Sequence, residues 1–239
     1  MTDLLIPHVP SMDSGVEFRH SLRTLDSNLH LPGGLDLTVV GHRPEWAEFD
    51  YEPHTAPDPQ APKGLRMVWA VLAGLRRAER DGVREVLYLS DDYFLLYPQT
   101  AVSNVHAGSL GAKLTGEMKR RPEHWWTRTL AETWRYLRET GADERKLICW
   151  EMHAPLWVEV SSAIEALSAV ADSGRDVFWR TVYRNVCPPR QPAYEAPDGR
   201  WDSWRGVAGV PWATVDEQIW AKRGREVARR FAEKSRWEK

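Results

Sequence analysis

Glu85-Val86-Leu87-Tyr88-Leu89-Ser90-Asp91-Asp92-Tyr93-Phe94-Leu95-Leu96 is a short apolar run that delivers two adjacent carboxylates and then turns apolar again. A run of this length, with β-branched and aromatic residues, reads as a buried strand ending in an acidic pair at Asp91-Asp92. Desolvating neighbouring carboxylates is costly unless a cation or strong donors compensate, and hard oxygen ligands suit Mg²⁺ or Mn²⁺. A turn or a helix cap at a strand end is the other use of such a pair.

Outward from this strand, the first hundred residues alternate in type. Asp3 to Ile6 reads as a strand ended by Pro7 and His8. Phe18, Leu22, Leu25 and Leu29 recur at spacings of four, three and four, which predicts an amphipathic helix with Arg19, His20, Arg23 and Asp26 on its other face. Pro32-Gly33-Gly34 breaks the chain, Leu35 to Val40 reads as a second strand, and Gly41-His42-Arg43-Pro44 as a turn. Glu52 to Pro62 holds four prolines in eleven residues and predicts an extended surface loop. A helix from about Lys63 to Arg80 then leads through Asp81-Gly82 into the strand ending at Asp91-Asp92. This βαβαβ order predicts a right-handed, mainly parallel sheet. Ligands of such sheets lie outside the carboxyl ends of the strands, here the loops after His8, Gly41 and Ser90.

The second half is less regular. Pro122 starts a helix running to about Gly141, with Trp126, Leu130, Trp134 and Leu137 on one face, and Lys146 to Trp150 reads as another strand. That strand empties into a second polar cluster, Glu151-Met152-His153-Ala154-Pro155. Val158 to Ala171 reads as a helix, Val177 to Arg184 as an aromatic and basic segment, Cys187 to Gly199 as a proline-rich loop, and about Asp216 to Glu233 as a last helix.

Composition bounds the functional class. With 239 residues, 42% of them hydrophobic, and a net charge of −2, the chain can bury one full core and carries no polyelectrolyte surface for nucleic acid. Cys149 and Cys187 cannot form a disulfide framework or a cysteine metal site, which favours free thiols and a cytoplasmic setting. The apolar segment Leu4 to Ile6 is too short for a signal peptide or a membrane span. Of the 13 tryptophans, 11 lie from Trp125 onward, a supply of flat amphipathic rings that stack on sugars or fill cores.

Glu17-Phe18-Arg19-His20-Ser21-Leu22-Arg23-Thr24-Leu25 with Val39-Val40-Gly41 and then Ser90-Asp91-Asp92-Tyr93-Phe94 resembles the opening of GT-A-fold glycosyltransferases of bacteriophages and bacteria. The pattern is also similar to the stealth capsular polysaccharide phosphotransferases. The shared region covers about Asp3 to Leu96. His153-x-Pro155, Arg180-x-x-Tyr183-x-Asn185, Ala213-Thr214-Val215-Asp216 and Ser235-Arg236-Trp237-Glu238 are similar to later blocks of these proteins. Ser90 stands where the pattern has Asn or Asp, and the Asp-Gly strand that begins stealth proteins is not found.

The resemblance implies a GT-A-like α/β fold, with a nucleotide-sugar-binding half at residues 1–110 and a helical, tryptophan-rich acceptor half at 111–239. It implies a glycosyltransferase that moves a sugar from a nucleotide-diphosphate sugar, a UDP-sugar in the first instance, to a hydroxyl acceptor with Mn²⁺ or Mg²⁺. Sugar-1-phosphate transfer and non-catalytic carbohydrate or nucleotide binding are the alternatives. Asp92 is the first metal ligand, Asp91 binds metal, ribose or a metal-bound water, and His153 completes the shell or packs before Pro155. Pro7, His8, Gly41, His42, Lys63 and Arg66 are expected at the donor. Arg19 and Arg23 are expected there too, or paired with Asp26 or Glu17. Glu151 and Asp216 are candidate bases for an inverting reaction, Asp216 serving equally as a helix cap. Trp125, Trp126, Trp201, Trp204 and Trp212 are candidate acceptor platforms.

Overall fold

Five strands form the central sheet of this computed structural model, which describes residues 1–8, 15–196, 211–214 and 217–239. Strand β1 (Thr2–His8) lies in the middle, parallel to β2 (Leu35–Gly41) on one side and to β4 (Glu85–Tyr88) on the other. Strand β3 (Asp50–Pro53) adds in parallel to β2, and β7 (Leu156–Glu159) adds antiparallel to β4, giving the order β3-β2-β1-β4-β7.

The alternation of side chains along the strands divides the core in two. Leu4, Ile6, Leu37, Val39 and Leu87 turn to one face, where helix α1 (Val16–Asn28) lays down Phe18, Leu22 and Leu25. Leu5, Val40, Val86 and Tyr88 turn to the other, against helix α2 (Lys63–Arg80) with Val68, Val71, Leu72 and Leu75. Both helices keep the periodicity read from the sequence. Helix α2 seats so closely that a Cβ on Gly74 would lie 2.5 Å from Leu5 and 2.6 Å from Val40.

The later elements close the molecule. A two-stranded pair joins β5 (Tyr93–Leu95) to β9 (Trp212–Thr214), and another joins β6 (Asn104–His106) to β8 (Ala193–Glu195). Helices α3 (Leu110–Arg120), α4 (Trp125–Glu139), α5 (Val160–Ser173) and α6 (Trp179–Val186) follow on the α2 side, and α7 (Glu217–Arg230) packs near α1. Among the described residues no helix is long and apolar enough to cross a membrane.

Several boundaries differ from those the sequence suggests. The proline-rich stretch at 52–62 opens with the last two residues of β3; Pro53, at the end of an edge strand, removes no ladder bond that matters. The apolar run after Glu85 leaves the sheet at Tyr88, and Tyr93 to Leu95 pair elsewhere. Lys146 to Trp150 forms no full strand: a 3-10 turn spans Glu144–Lys146, and on one side the segment makes a single antiparallel bridge, Ile148 to Ser109. On its other side the amides of Ile148 and Trp150 are taken by the side chains of Asn185 and Thr181 instead of a further strand. The fifth strand is β7, so the helix read from Val158 starts at Val160. The aromatic and basic segment after Val177 is helix α6.

The segment 235–239 folds back on the start of the domain. Glu238 accepts from Arg19, from Arg23 Nε (2.7 Å) and Nη2 (2.9 Å), and from the Ser235 amide (2.9 Å), with its side chain fully buried. The Glu48 amide donates to the Trp237 carbonyl and that of Lys239 to the Trp46 carbonyl, which ties the chain after β2 to the same segment.

Candidate active site

Three loops and one helix end meet at the carboxyl edge of β1, β2 and β4. Strand β1 ends at His8 and β2 at Gly41, whose φ is +114° and where a Cβ would lie 2.4 Å from the His8 carbonyl. Only glycine allows this approach, which lets the His42 amide donate to the His8 carbonyl at 3.1 Å. Beyond β4 come Ser90 to Asp92. Residues 151–155 arrive beside them because β7 is antiparallel, with Leu156 opposite Tyr88.

The two neighbouring carboxylates part company. Asp91 turns to His8, 2.8 Å from Nδ1, and the His8 ring is buried and stacked on Phe18 at 4.4 Å. Asp92 turns to the other side, where Ser90 hydrogen-bonds it but its Oδ1 is buried without a partner. Burial, and then the charge of Asp91, push the Asp92 carboxyl above its ordinary value, against the pull of Ser90 and His153.

Glu151 stands across from it. Its Oε1 accepts from the Thr181 amide (3.2 Å) and hydroxyl (3.1 Å), and burial raises its pKa against Arg180, Thr181 and His153. Arg180 is buried and donates from Nη1 to the Tyr93 hydroxyl (2.7 Å) and the Met152 carbonyl (2.6 Å), and from Nη2 to the Ala154 carbonyl (2.7 Å). It therefore grips the backbone on both sides of His153 and the residue after Asp92. One guanidinium sets the spacing of the two acidic loops.

Among the described residues, two cavities open on this edge. The smaller, about 260 Å³, is lined by Asp92, Tyr93, Glu151, His153 and Arg180, with Trp125, Trp126, Phe178 and Trp179 as aromatic walls. The larger, about 760 Å³, is lined by Pro7, His8, Gly41, His42, Tyr51, His54 and Arg66. Lys63 and Met67, on the first turns of α2, line both. The N-terminus of α2, capped by no side chain at Pro62, thus stands between the cavities with Lys63 and Arg66 beside it, a positive end of an 18-residue helix. The Lys63 ammonium also lies 5.3 Å from the centre of the Trp125 ring.

Six of the expected donor residues, Pro7, His8, Gly41, His42, Lys63 and Arg66, line the larger cavity. Asp92, Glu151 and His153 share the smaller one. Asp91 is engaged by His8, and the expected set of Asp91, Asp92 and His153 does not close as three ligands. Among the described residues, no group of three or more His, Cys, Asp or Glu side chains is placed to hold a metal ion. The orphaned Asp92 Oδ1 is nevertheless a hard donor of the kind Mg²⁺ and Mn²⁺ take, and such ions commonly complete their shells with substrate oxygens and water.

Among the described residues Arg19 and Arg23 pair with Glu238, not with the Asp26 and Glu17 considered from helical spacing, and they line neither of these two cavities. Trp125 and Trp126 reach the smaller cavity, whereas Trp212 is buried in β9 as core. Asp216, Trp201 and Trp204 lie outside the described residues. The residues that sequence reasoning passed over are Arg180, Tyr93, Tyr51 and His54. Arg180 opens the motif Arg180-x-x-Tyr183-x-Asn185, which was its only signal.

No family model matches the chain, and no curated protein matches it in sequence. Solved structures do match. The galactosyltransferase LgtC, in complex with donor and acceptor sugar analogs, is similar with a TM-score of 0.53 at 10% identity, over 96% of this chain and 96% of that one. An active-site mutant of LgtC gives a TM-score of 0.53 at 11% identity over the same shares. At these identities the likeness is one of fold, and it identifies the chain as an α/β protein with the mainly parallel, helix-flanked sheet of GT-A glycosyltransferases.

Proposed function

We propose that the chain is a glycosyltransferase that moves a sugar from a nucleotide-diphosphate sugar, a UDP-sugar in the first instance, to a hydroxyl acceptor. The observation that carries this reading is the pair of cavities joined at Lys63 and Met67, with Asp92, one of whose buried carboxylate oxygens has no partner, lining the smaller one. The larger cavity takes the nucleoside. Tyr51 offers a ring there, and His54 is held below its ordinary pKa by burial, so its neutral imidazole presents an unpartnered Nε2 to a base. The α2 N-terminus, Lys63 and Arg66 meet the diphosphate, where their positive field stabilises the charge that grows on the leaving group.

The smaller cavity takes the sugar and the acceptor hydroxyl. Its aromatic walls hold an apolar sugar face, and Glu151, which like Asp92 has a raised pKa in that cavity, is suited to accept the hydroxyl proton. A divalent Mn²⁺ or Mg²⁺ fits at Asp92 with His153 beside it, and when bound supplies Lewis-acid stabilisation of the departing diphosphate. Glu117 and Cys149, which line neither cavity, are given no part.

The test is a thermal-shift and product assay with UDP-, GDP- and dTDP-sugars, with and without Mn²⁺. Stabilisation by one donor with release of nucleoside diphosphate supports the reading. Release of monophosphate points to attack at phosphorus and sugar-phosphate transfer, and absence of binding to every donor refutes the nucleotide-sugar assignment.

A further inference from the structure

Helix α6 carries two buried arginines one turn apart, Arg180 and Arg184, and they point to opposite edges of the sheet. Arg180 faces the candidate active site. Arg184 lines a separate cavity of about 720 Å³ at the amino edge, walled by Arg84 and Glu85 at the start of β4, Glu159 at the end of β7, Trp157 and Asn104. Both of the Arg184 hydrogen bonds leave from one nitrogen: Nη2 donates to the Trp157 carbonyl and, at 3.5 Å, to Asn104 Oδ1. Its Nε is buried with no partner, and the residue is 7% exposed.

A buried cation normally has an anion. Arg180 has Glu151 in its surroundings, but among the described residues no carboxylate forms an ion pair with Arg184. Glu85 acts on it through space without a hydrogen bond or ion pair, and Glu159, on the same cavity wall, is already engaged by the Ser162 hydroxyl (2.9 Å) and by Arg190 (3.3 Å). The rings of Tyr183, 4.9 Å from the guanidinium carbon, and Trp150, 5.8 Å away, soften the charge, but Nε remains a buried donor without an acceptor, a cost that an oxyanion in the cavity would remove. The flat face of Trp157, whose indole N–H is fixed on the Val102 carbonyl at 3.1 Å, and the amides of Asn104 and Gln191 add the surfaces that a small hydroxylated ring uses.

We propose that this amino-edge cavity is a second binding site, distinct from the donor crevice, for an anionic monosaccharide whose carboxylate or phosphate is taken by Arg184. Its volume fits one such ring with bound water, and the site stands whether or not the transferase reading holds.

Isothermal titration of the full chain with glucose 6-phosphate, glucuronate and neutral glucose tests it. Binding of one or both anions, with a Kd on the order of 0.1–1 mM, and no binding of glucose is the expected result. The two anions separate phosphate from carboxylate as the preferred group. Arg184→Gln should weaken binding by roughly tenfold or more. Should that variant fail to fold, Ala101→Trp, at an exposed residue of the cavity wall, blocks entry with Arg184 left in place. Lys63→Ala should leave anion binding unchanged. Binding that survives Ala101→Trp but is lost in Lys63→Ala would place the anion in the donor crevice and overturn the proposal, as would failure of both anions to bind folded wild-type chain.

Discussion

Glu238 and Asp92 are both buried carboxylates, and the fold treats them in opposite ways. Glu238 is met by Arg19, Arg23 and Ser235, and these hydrogen bonds outweigh its burial and hold its pKa down to about 2. Asp92 is left with an unpartnered oxygen beside a second carboxylate, and burial drives its pKa up. Glu151, across the smaller cavity, is raised for the same reason. A satisfied carboxylate is a fastener, whereas one kept hungry for a donor is held ready for something that arrives from outside.

That contrast can be broken most directly at the fastener. Glu238→Ala leaves Arg23, with its side chain 11% exposed, without its counter-ion, and should cost about 3–5 kcal/mol in urea unfolding. A loss under 1 kcal/mol would show that the cluster is a surface ornament. The same group sets an acid limb. Its folded pKa lies below its ordinary 4.5, so its contribution is complete above pH 4.5 and drains away as pH falls toward 2, about 3 kcal/mol in all. Glu238→Gln should flatten that limb of the stability profile.

At the other pole, Asp92→Asn should cut sugar transfer by about a hundredfold or more, with metal-dependent donor binding lost. Because a raised carboxyl pKa means that ionisation opposes folding above the ordinary value, the same variant should melt no lower than the wild type. A lower melting temperature would make Asp92 structural and erase the comparison. Arg180→Lys keeps a charge but not the fork that holds the Met152 and Ala154 carbonyls together. It should slow turnover by about tenfold and weaken Mn²⁺ binding, read by titration with Mn²⁺ alone. The smallest effect is expected at the cavity wall, where Trp125→Ala should raise the KM for acceptor by a fewfold, about 1 kcal/mol, without moving the stability.

How much of this could be read from the chain depended on how local the cause was. The first two helices follow from the spacing of Phe18, Leu22 and Leu25 and from Lys63 to Arg80, and their faces are set by that spacing alone. The edge that gathers Pro7, His8, Gly41, His42 and Asp92 follows from strand order, because parallel strands deliver their ends together. Residues 147–150 have the composition of a strand, yet the partners that decide otherwise, Thr181 and Asn185, are more than thirty residues away. Strand β7 was hidden because Val158 continues smoothly into a helix. Arg180 and Arg19 look alike in sequence; only the tertiary structure sends one to the candidate site and the other to Glu238.

The return of residues 235–239 to helix α1 also has a temporal side. Arg19 and Glu238 are 219 residues apart, so the ion pair that secures helix α1 closes a very long loop. Closing such a loop is entropically slow, and during synthesis Arg19 and Arg23 must wait for more than two hundred further residues before Glu238 neutralises them. Helix α1 is therefore made long before it is secured, and its arginine pair stays without Glu238 until then.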